Sequence, residues 1–140
     1  MTVVVDASVV LKWFLPEVHG EAALRLLDAG EELVAPDHLF AETTNAIRKR
    51  VRQGEFSAAQ AHEIIESIDD EVEIELVSCR ELADDALDIA LAHGQSIYDA
   101  MYIALAIDRD IRLITADDRL HTALSKIPSI APHIQSLRDY

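Results

Sequence analysis

Met1-Thr2-Val3-Val4-Val5-Asp6-Ala7-Ser8-Val9-Val10 opens the chain as an apolar run that is interrupted by an acid. Val3, Val4 and Val5 are β-branched with no polar residue between them, the pattern of a strand covered on both faces, as in a parallel sheet layered with helices. Asp6 stands where that strand stops. In open α/β sheets ligands collect outside the carboxyl ends of the strands, so an acid here faces the usual place of chemistry. Asp is also a common N-cap, and residues 7–14 read as the helix it would cap; taken alone, the position favours the cap. Ser8, two residues on, is placed to help position whatever Asp6 binds.

Around this stretch, the composition is that of a globular chain. Its 140 residues suit one domain, 1–140, with a core of useful size, and half of them are apolar. The single cysteine, Cys79, has no internal disulfide partner, which fits a reducing compartment. No leader pattern and no apolar run of membrane-spanning length is visible, so the expected location is the cytoplasm. With 12 basic against 26 acidic side chains the net charge is −14. That balance argues against tight, nonspecific gripping of nucleic acid but leaves room for a nuclease whose carboxylates are neutralised locally by metal ions.

Strand and helix patterns alternate along the rest of the chain. Residues 20–30 read as a helix with Ala23, Leu24 and Leu27 on its packed face and Gly30 as its stop, and Pro16 ends the helix before it. A short strand follows at 33–35. Pro36 and Asp37 then open a helix to about Gln53, with Leu39, Thr43, Ala46, Ile47 and Arg50 in one stripe and Glu42 at its border. Ser57 with Gln60, and Ser78 with Glu81, have capping-box spacing ahead of two further helices, the second ending at His93 and Gly94. Between them residues 72–77 alternate, with Val72, Ile74 and Leu76 on one face. The segment 98–107 is apolar almost throughout and reads as a buried helix. Residues 111–115 form another strand, a helix runs to about Ser125, and 129–131 adds a short edge strand. The expected fold is a three-layer α/β/α sandwich with a central parallel sheet.

Four acids stand out: Asp6, Glu42, Asp99 and Asp117. Each has an ordinary alternative as a helix cap or a solvated residue at a helix edge. Asp99 shifts the balance, being the ionisable group in an otherwise apolar helix with no basic residue within a turn; left unpaired and buried it would lose its hydration or take up a proton. Convergence of the four acids on a cation accounts for all of them together. Oxygen ligands without a His or Cys cluster suit Mg²⁺ or Mn²⁺ rather than zinc, and His38, His62, His93, His121 and His133 show no metal-type spacing. Such a site suits phosphodiester hydrolysis. Ser8, Asn45 and Thr115 are candidates to hold a water, a carboxylate or a phosphate oxygen. The basic run Arg48-Lys49-Arg50-Val51-Arg52 is either a solvated helix end favoured by the dipole or a small phosphate-facing or partner-facing patch. Trp13 is read as a core residue in preference to a base-stacking one.

The chain resembles the PIN-domain ribonucleases, specifically toxins of the VapC type from toxin–antitoxin pairs. The matching residues are Val4-Val5-Asp6-Ala7-Ser8 with Lys12-Trp13-Phe14, Glu42 with Asn45, Tyr98-Asp99-Ala100 with Tyr102 and Ala104-Leu105-Ala106, and Leu113-Ile114-Thr115-Ala116-Asp117. The resemblance spans nearly the whole chain. It implies that Asp6, Glu42, Asp99 and Asp117 bind Mg²⁺ or Mn²⁺ and cut single-stranded or loop RNA, that the protein forms a homodimer, and that a small cognate antitoxin occludes the site. Asp118 competes with Asp117 for the last position; the resemblance implies Asp117, because Thr115 and Asp117 keep the family spacing. A Mg²⁺-dependent phosphoaspartyl phosphatase or receiver is the alternative enzyme, but it lacks here the second acid beside Asp6 and the lysine after residue 115 that such sites use. A catalytically silent PIN-fold binding module is the alternative from another class.

Overall fold

The structure, a computed structural model, describes residues 1–15 and 20–140. Pro16 lies outside the described residues; the helix before it, α1 (Ala7–Phe14), closes on Leu15 in the extended conformation favoured before proline. The strands are β1 (Thr2–Val5), β2 (Glu32–Pro36), β3 (Ile74–Val77), β4 (Arg112–Thr115) and β5 (Ile134–Ser136). They form one parallel sheet in the order β3-β2-β1-β4-β5. Val4 lies opposite Val34 of β2 and Leu113 of β4. Successive strand side chains point to opposite faces, so the near-complete burial of Val3, Val4 and Val5 requires cover on both sides of β1.

That cover comes from α1, α2 (Gly20–Asp28), α3 (Leu39–Arg52), α4 (Ala58–Glu71), α5 (Cys79–His93), α6 (Ile97–Asp108) and α7 (Asp118–Ser125), giving the three-layer α/β/α sandwich. Helix α6 crosses β1, β2 and β4 and packs closely on α5 through Ala86, Ala100 and Ala104. The chain steps from β1 to β2 to β3 in one direction, then returns through α5 and α6 to β4 on the other side of β1. The order therefore reverses between β1 and β4, and a crevice opens beyond the carboxyl ends of these two strands.

Several local expectations are corrected. Pro36 ends β2 instead of opening a helix, because a fixed φ near −65° also suits an extended residue; it pairs with Val77, and α3 starts at Leu39. Asp37 does not serve the dipole of α3: its Oδ1 accepts the Cys79 N–H at 3.1 Å and thereby caps α5. Ser78 accepts from the Arg80 N–H, so the reciprocal box expected with Glu81 is replaced by these two caps, whereas the Ser57–Gln60 box forms in full. On α2 the packed residues are Ala22, Ala23 and Leu26, and Leu24 is exposed. Two alanines let the helix settle closely on α1, where the Trp13 indole donates to the Ala23 carbonyl at 2.7 Å. Trp13 is thus packed against the core, as expected. β3 is an edge strand starting at Ile74, since Val72 is spent capping α4; Val77 faces the core and Leu76 does not. The last edge strand lies at β5, beyond a 3-10 turn containing Pro132, and not at 129–131. Tyr98 at the start of α6 is exposed although most of that helix is buried.

Candidate active site

Asp6 and Asp117 leave β1 and β4 at their carboxyl ends, on the two sides of the crevice. Asp6 is at once the N-cap of α1, with its Oδ1 accepting from the Val9 N–H at 3.3 Å, and a buried carboxylate at the mouth of the sheet. The two readings of this residue describe the same side chain. Ser8 donates to Oδ1 and the fully buried Thr115 donates to Oδ2. Each hydroxyl is fixed in turn by a backbone N–H: that of Ala116 reaches Ser8 at 3.0 Å, and that of Asp117 reaches Thr115 at 3.1 Å. These bonds tie the end of β1 to the end of β4. Burial pushes the Asp6 carboxyl up from 3.8 to about 6, against the pull of the Ser8, Thr115 and Val9 hydrogen bonds, and the negative charge of Glu42 adds to the rise.

Asp117 caps α7, its Oδ1 accepting from the N–H groups of Arg119 and Leu120. Asp118 faces away and pairs with Arg138 in the C-terminal segment. The geometry therefore separates the two neighbours, with Asp117 on the cleft side. A cleft of about 340 Å³ is lined by Gln95, Asp99, Asp117, Arg119, Leu120 and Ala123.

Glu42 and Asp99 lie in the first turns of α3 and α6, where the helix dipoles favour negative charge. Asp99 is half-buried, with its N–H donating to Ser96 at 3.1 Å. Burial raises its pKa, the Ser96 hydroxyl lowers it, and the charges of Glu42 and Asp117 raise it again. The four acids thus form an electrostatic series in which Asp6 feels Glu42, and Asp99 feels both Glu42 and Asp117.

Two residues that sequence reasoning missed hold Glu42. The buried Tyr102 donates its phenol to Glu42 Oε1 at 2.8 Å, and burial together with the charges of Glu42 and Asp6 drives that phenol's pKa far upward, so it remains a donor. His38 places Nε2 at 3.0 Å from the same Oε1 and 3.1 Å from the Tyr98 carbonyl, while Nδ1 lies 3.3 Å from the Cys79 thiol. With Oε1 held from two sides, Oε2 is the oxygen of Glu42 left for another partner. Helical spacing carried a signal for His38 alone, four residues before Glu42; Tyr102 reaches Glu42 from another helix, α6. Asn45 is exposed and accepts from the Arg48 Nε at 3.1 Å, so it joins none of the hydrogen bonds around Asp6.

Among the described residues no three His, Cys, Asp or Glu side chains already converge closely enough to hold an ion. The donor chemistry nevertheless fits a hard dication. The four acids would provide oxygen ligands, burial and neighbouring charge raise the pKa of both Asp6 and Asp99, and a cation would relieve the crowding that contributes to this.

The PIN domain family matches residues 3–124. The chain is 33% identical over 121 residues to ribonuclease VapC3 of Pyrobaculum aerophilum, covering 86% of this chain and 92% of that protein. It is 31% identical over 120 residues to ribonuclease VapC1 of Mycobacterium tuberculosis, covering 86% and 89%. Its fold is similar to that in a toxin–antitoxin complex from Klebsiella pneumoniae, with a TM-score of 0.68 at 13% identity over 97% of this chain and 98% of that one.

Proposed function

The chain belongs to the PIN domain family, and on that premise we propose that it is an endoribonuclease acting as the toxin of a toxin–antitoxin pair. What supports the reading best is that four acids come from four separate elements near the carboxyl ends of β1 and β4, with Asp6 feeling the charge of Glu42, and Asp99 feeling those of Glu42 and Asp117. Two ribonuclease relatives at or above 30% identity support it. Asp6, Glu42, Asp99 and Asp117 hold Mg²⁺ or Mn²⁺. When bound, such an ion lowers the pKa of water and neutralises charge on the phosphoryl oxygens.

The chain's own residues define where that chemistry occurs. Ser8 and Thr115 hold Asp6 by both oxygens, and Tyr102 and His38 hold one oxygen of Glu42, so each carboxylate keeps a fixed orientation. Arg119, on the wall of the cleft, offers its guanidinium to a phosphate oxygen. In the reaction a water oxygen bonds to phosphorus, one phosphorus–oxygen ester bond breaks, and a water proton is carried to the departing oxygen. Residues 1–140 act as one nuclease domain, in the cytoplasm and as a homodimer, and a cognate antitoxin covers the acids when the toxin is silent.

The test is incubation of the purified protein with a mixed pool of structured RNAs in Mg²⁺, in Mn²⁺ and in EDTA, beside Asp99→Asn. Cutting that needs the metal and is missing from the variant is the expected result. Cutting that persists in EDTA, or equally in Asp99→Asn, would refute the reading.

A further inference from the structure

Helix α3 leads away from the acid cluster on a surface of opposite charge. From Thr43 to Arg52 it contains no acid, in a chain with 26 of them, and it holds Arg48, Lys49, Arg50 and Arg52 out of 12 basic residues in all. The negative helix end accounts for positive charge in the last turn, but not for the side on which it lies. At 3.6 residues per turn, Glu42, Asn45, Lys49 and Arg52 fall within an arc of roughly 80°. Leu39, Thr43 and Ile47, which are buried, occupy the other side. Arg50 leans the other way and bonds Glu55 at 2.8 Å. Elsewhere Arg109 is held by Glu75 and Arg138 by Asp118. Among the described residues neither Lys49 nor Arg52 has an ion-pair partner, and both are exposed. Arg48 donates from Nε to Asn45 Oδ1, a bond that leaves the side-chain amide N–H groups of Asn45 unused.

We propose that this ridge, Asn45, Lys49 and Arg52 with Arg48 on its flank, is the track along which the phosphate backbone of single-stranded RNA leaves the active site. The inference deepens the nuclease reading and rests on it. Lys49 lies about 10 Å and Arg52 about 15 Å along the helix from Glu42, from the helical rise. A strand whose scissile phosphate sits at the acids therefore passes the ridge with its neighbouring phosphates. The ridge supplies counter-charge that the acidic chain otherwise lacks on this side of the cluster. It contributes affinity and register without reading bases, since its contacts are to the backbone.

The test compares Arg48→Gln/Lys49→Gln/Arg52→Gln with a charge-matched control at other exposed positions, Arg25→Gln/Arg80→Gln/Lys126→Gln. Both are made in the active protein and in an Asp99→Asn background that binds without cutting. Kd for a labelled single-stranded oligoribonucleotide of mixed sequence is measured against KCl concentration in EDTA, and KM and kcat are measured with metal. Each lost phosphate contact lowers the salt slope by about 0.7, so the ridge variant should lose about 2 in slope. Its KM should rise about tenfold or more at unchanged kcat, with a wild-type thermal midpoint, and the control should keep both slope and KM. A ridge variant with wild-type slope and KM, or a control that loses as much, overturns the proposal while wild-type cleavage leaves the nuclease reading standing. A ridge variant that keeps the RNA slope but sheds a copurifying protein assigns the ridge to that protein and also overturns it. If the wild type neither binds nor cuts RNA, both the ridge and the nuclease reading fail.

Discussion

Replacing Asp6 by Asn should stabilise the metal-free protein at alkaline pH, by an amount that disappears in acid. The folded protein holds the Asp6 proton up to about pH 6, whereas in the unfolded chain the proton leaves near 3.8. Because the folded-state pKa is the higher one, the favourable contribution is complete below about pH 4 and is lost as pH rises through 6. At about 1.36 kcal/mol per pH unit, the buried ionised carboxylate costs the fold ~3 kcal/mol at pH 8. Asn is neutral throughout, but it offers an amide to one of the two hydroxyls that now donate to Asp6, a loss of about 1 kcal/mol. The net gain is ~2 kcal/mol, or roughly 6–10 °C in Tm for a chain of this size. Thermal unfolding in EDTA at pH 4.5 and pH 8, wild type beside Asp6→Asn, measures it. The variant should melt well above the wild type at pH 8 and level with or slightly below it at pH 4.5. A variant that melts lower at pH 8, or by the same margin at both pH values, would show that Asp6 is not a strained buried charge.

Thr115→Val, which keeps shape but removes the hydroxyl that donates to Asp6, should raise the Asp6 pKa above about 6, as read by carboxyl NMR titration; Ser8→Ala should shift it the same way. Tyr102→Phe removes the donor to Glu42 Oε1 and should weaken Mn²⁺ binding about tenfold in calorimetry, while stability changes by no more than about 1 kcal/mol. Asp118→Ala breaks an exposed pair with Arg138 and should leave cleavage intact, whereas Asp117→Asn should abolish it; equal loss of cleavage in the two would overturn the assignment of Asp117 to the cleft.

What could be read in the sequence was what chemistry imposes locally. Three consecutive valines ending in Asp have few solutions other than a central parallel strand, and the apolar helix around Asp99 could only be a buried one. Those two features led to the sheet, the layers and the crevice. Errors arose where one local signal serves two structures. Pro36 suits a strand end as well as a helix start, and Asp37 caps α5 across the chain instead of its own helix. The alternation through Leu76 overlooked the incomplete cover of an edge strand. The arms that hold Glu42 were missed for a different reason. His38 and Tyr102 meet on one oxygen only after α3 and α6 have packed, and neither residue type marks such a role by itself.

The central claim is that the four acids act as one site, and single-turnover cleavage of one RNA by Asp6→Asn, Glu42→Gln, Asp99→Asn and Asp117→Asn, alone and in pairs, tests it most directly. Groups that work as a unit are strongly non-additive. Each single variant should fall to the background rate, with the pairs no worse than the singles. One variant that cuts at the wild-type rate while folded would remove that acid from the site, and losses that simply multiply in the pairs would contradict a shared centre.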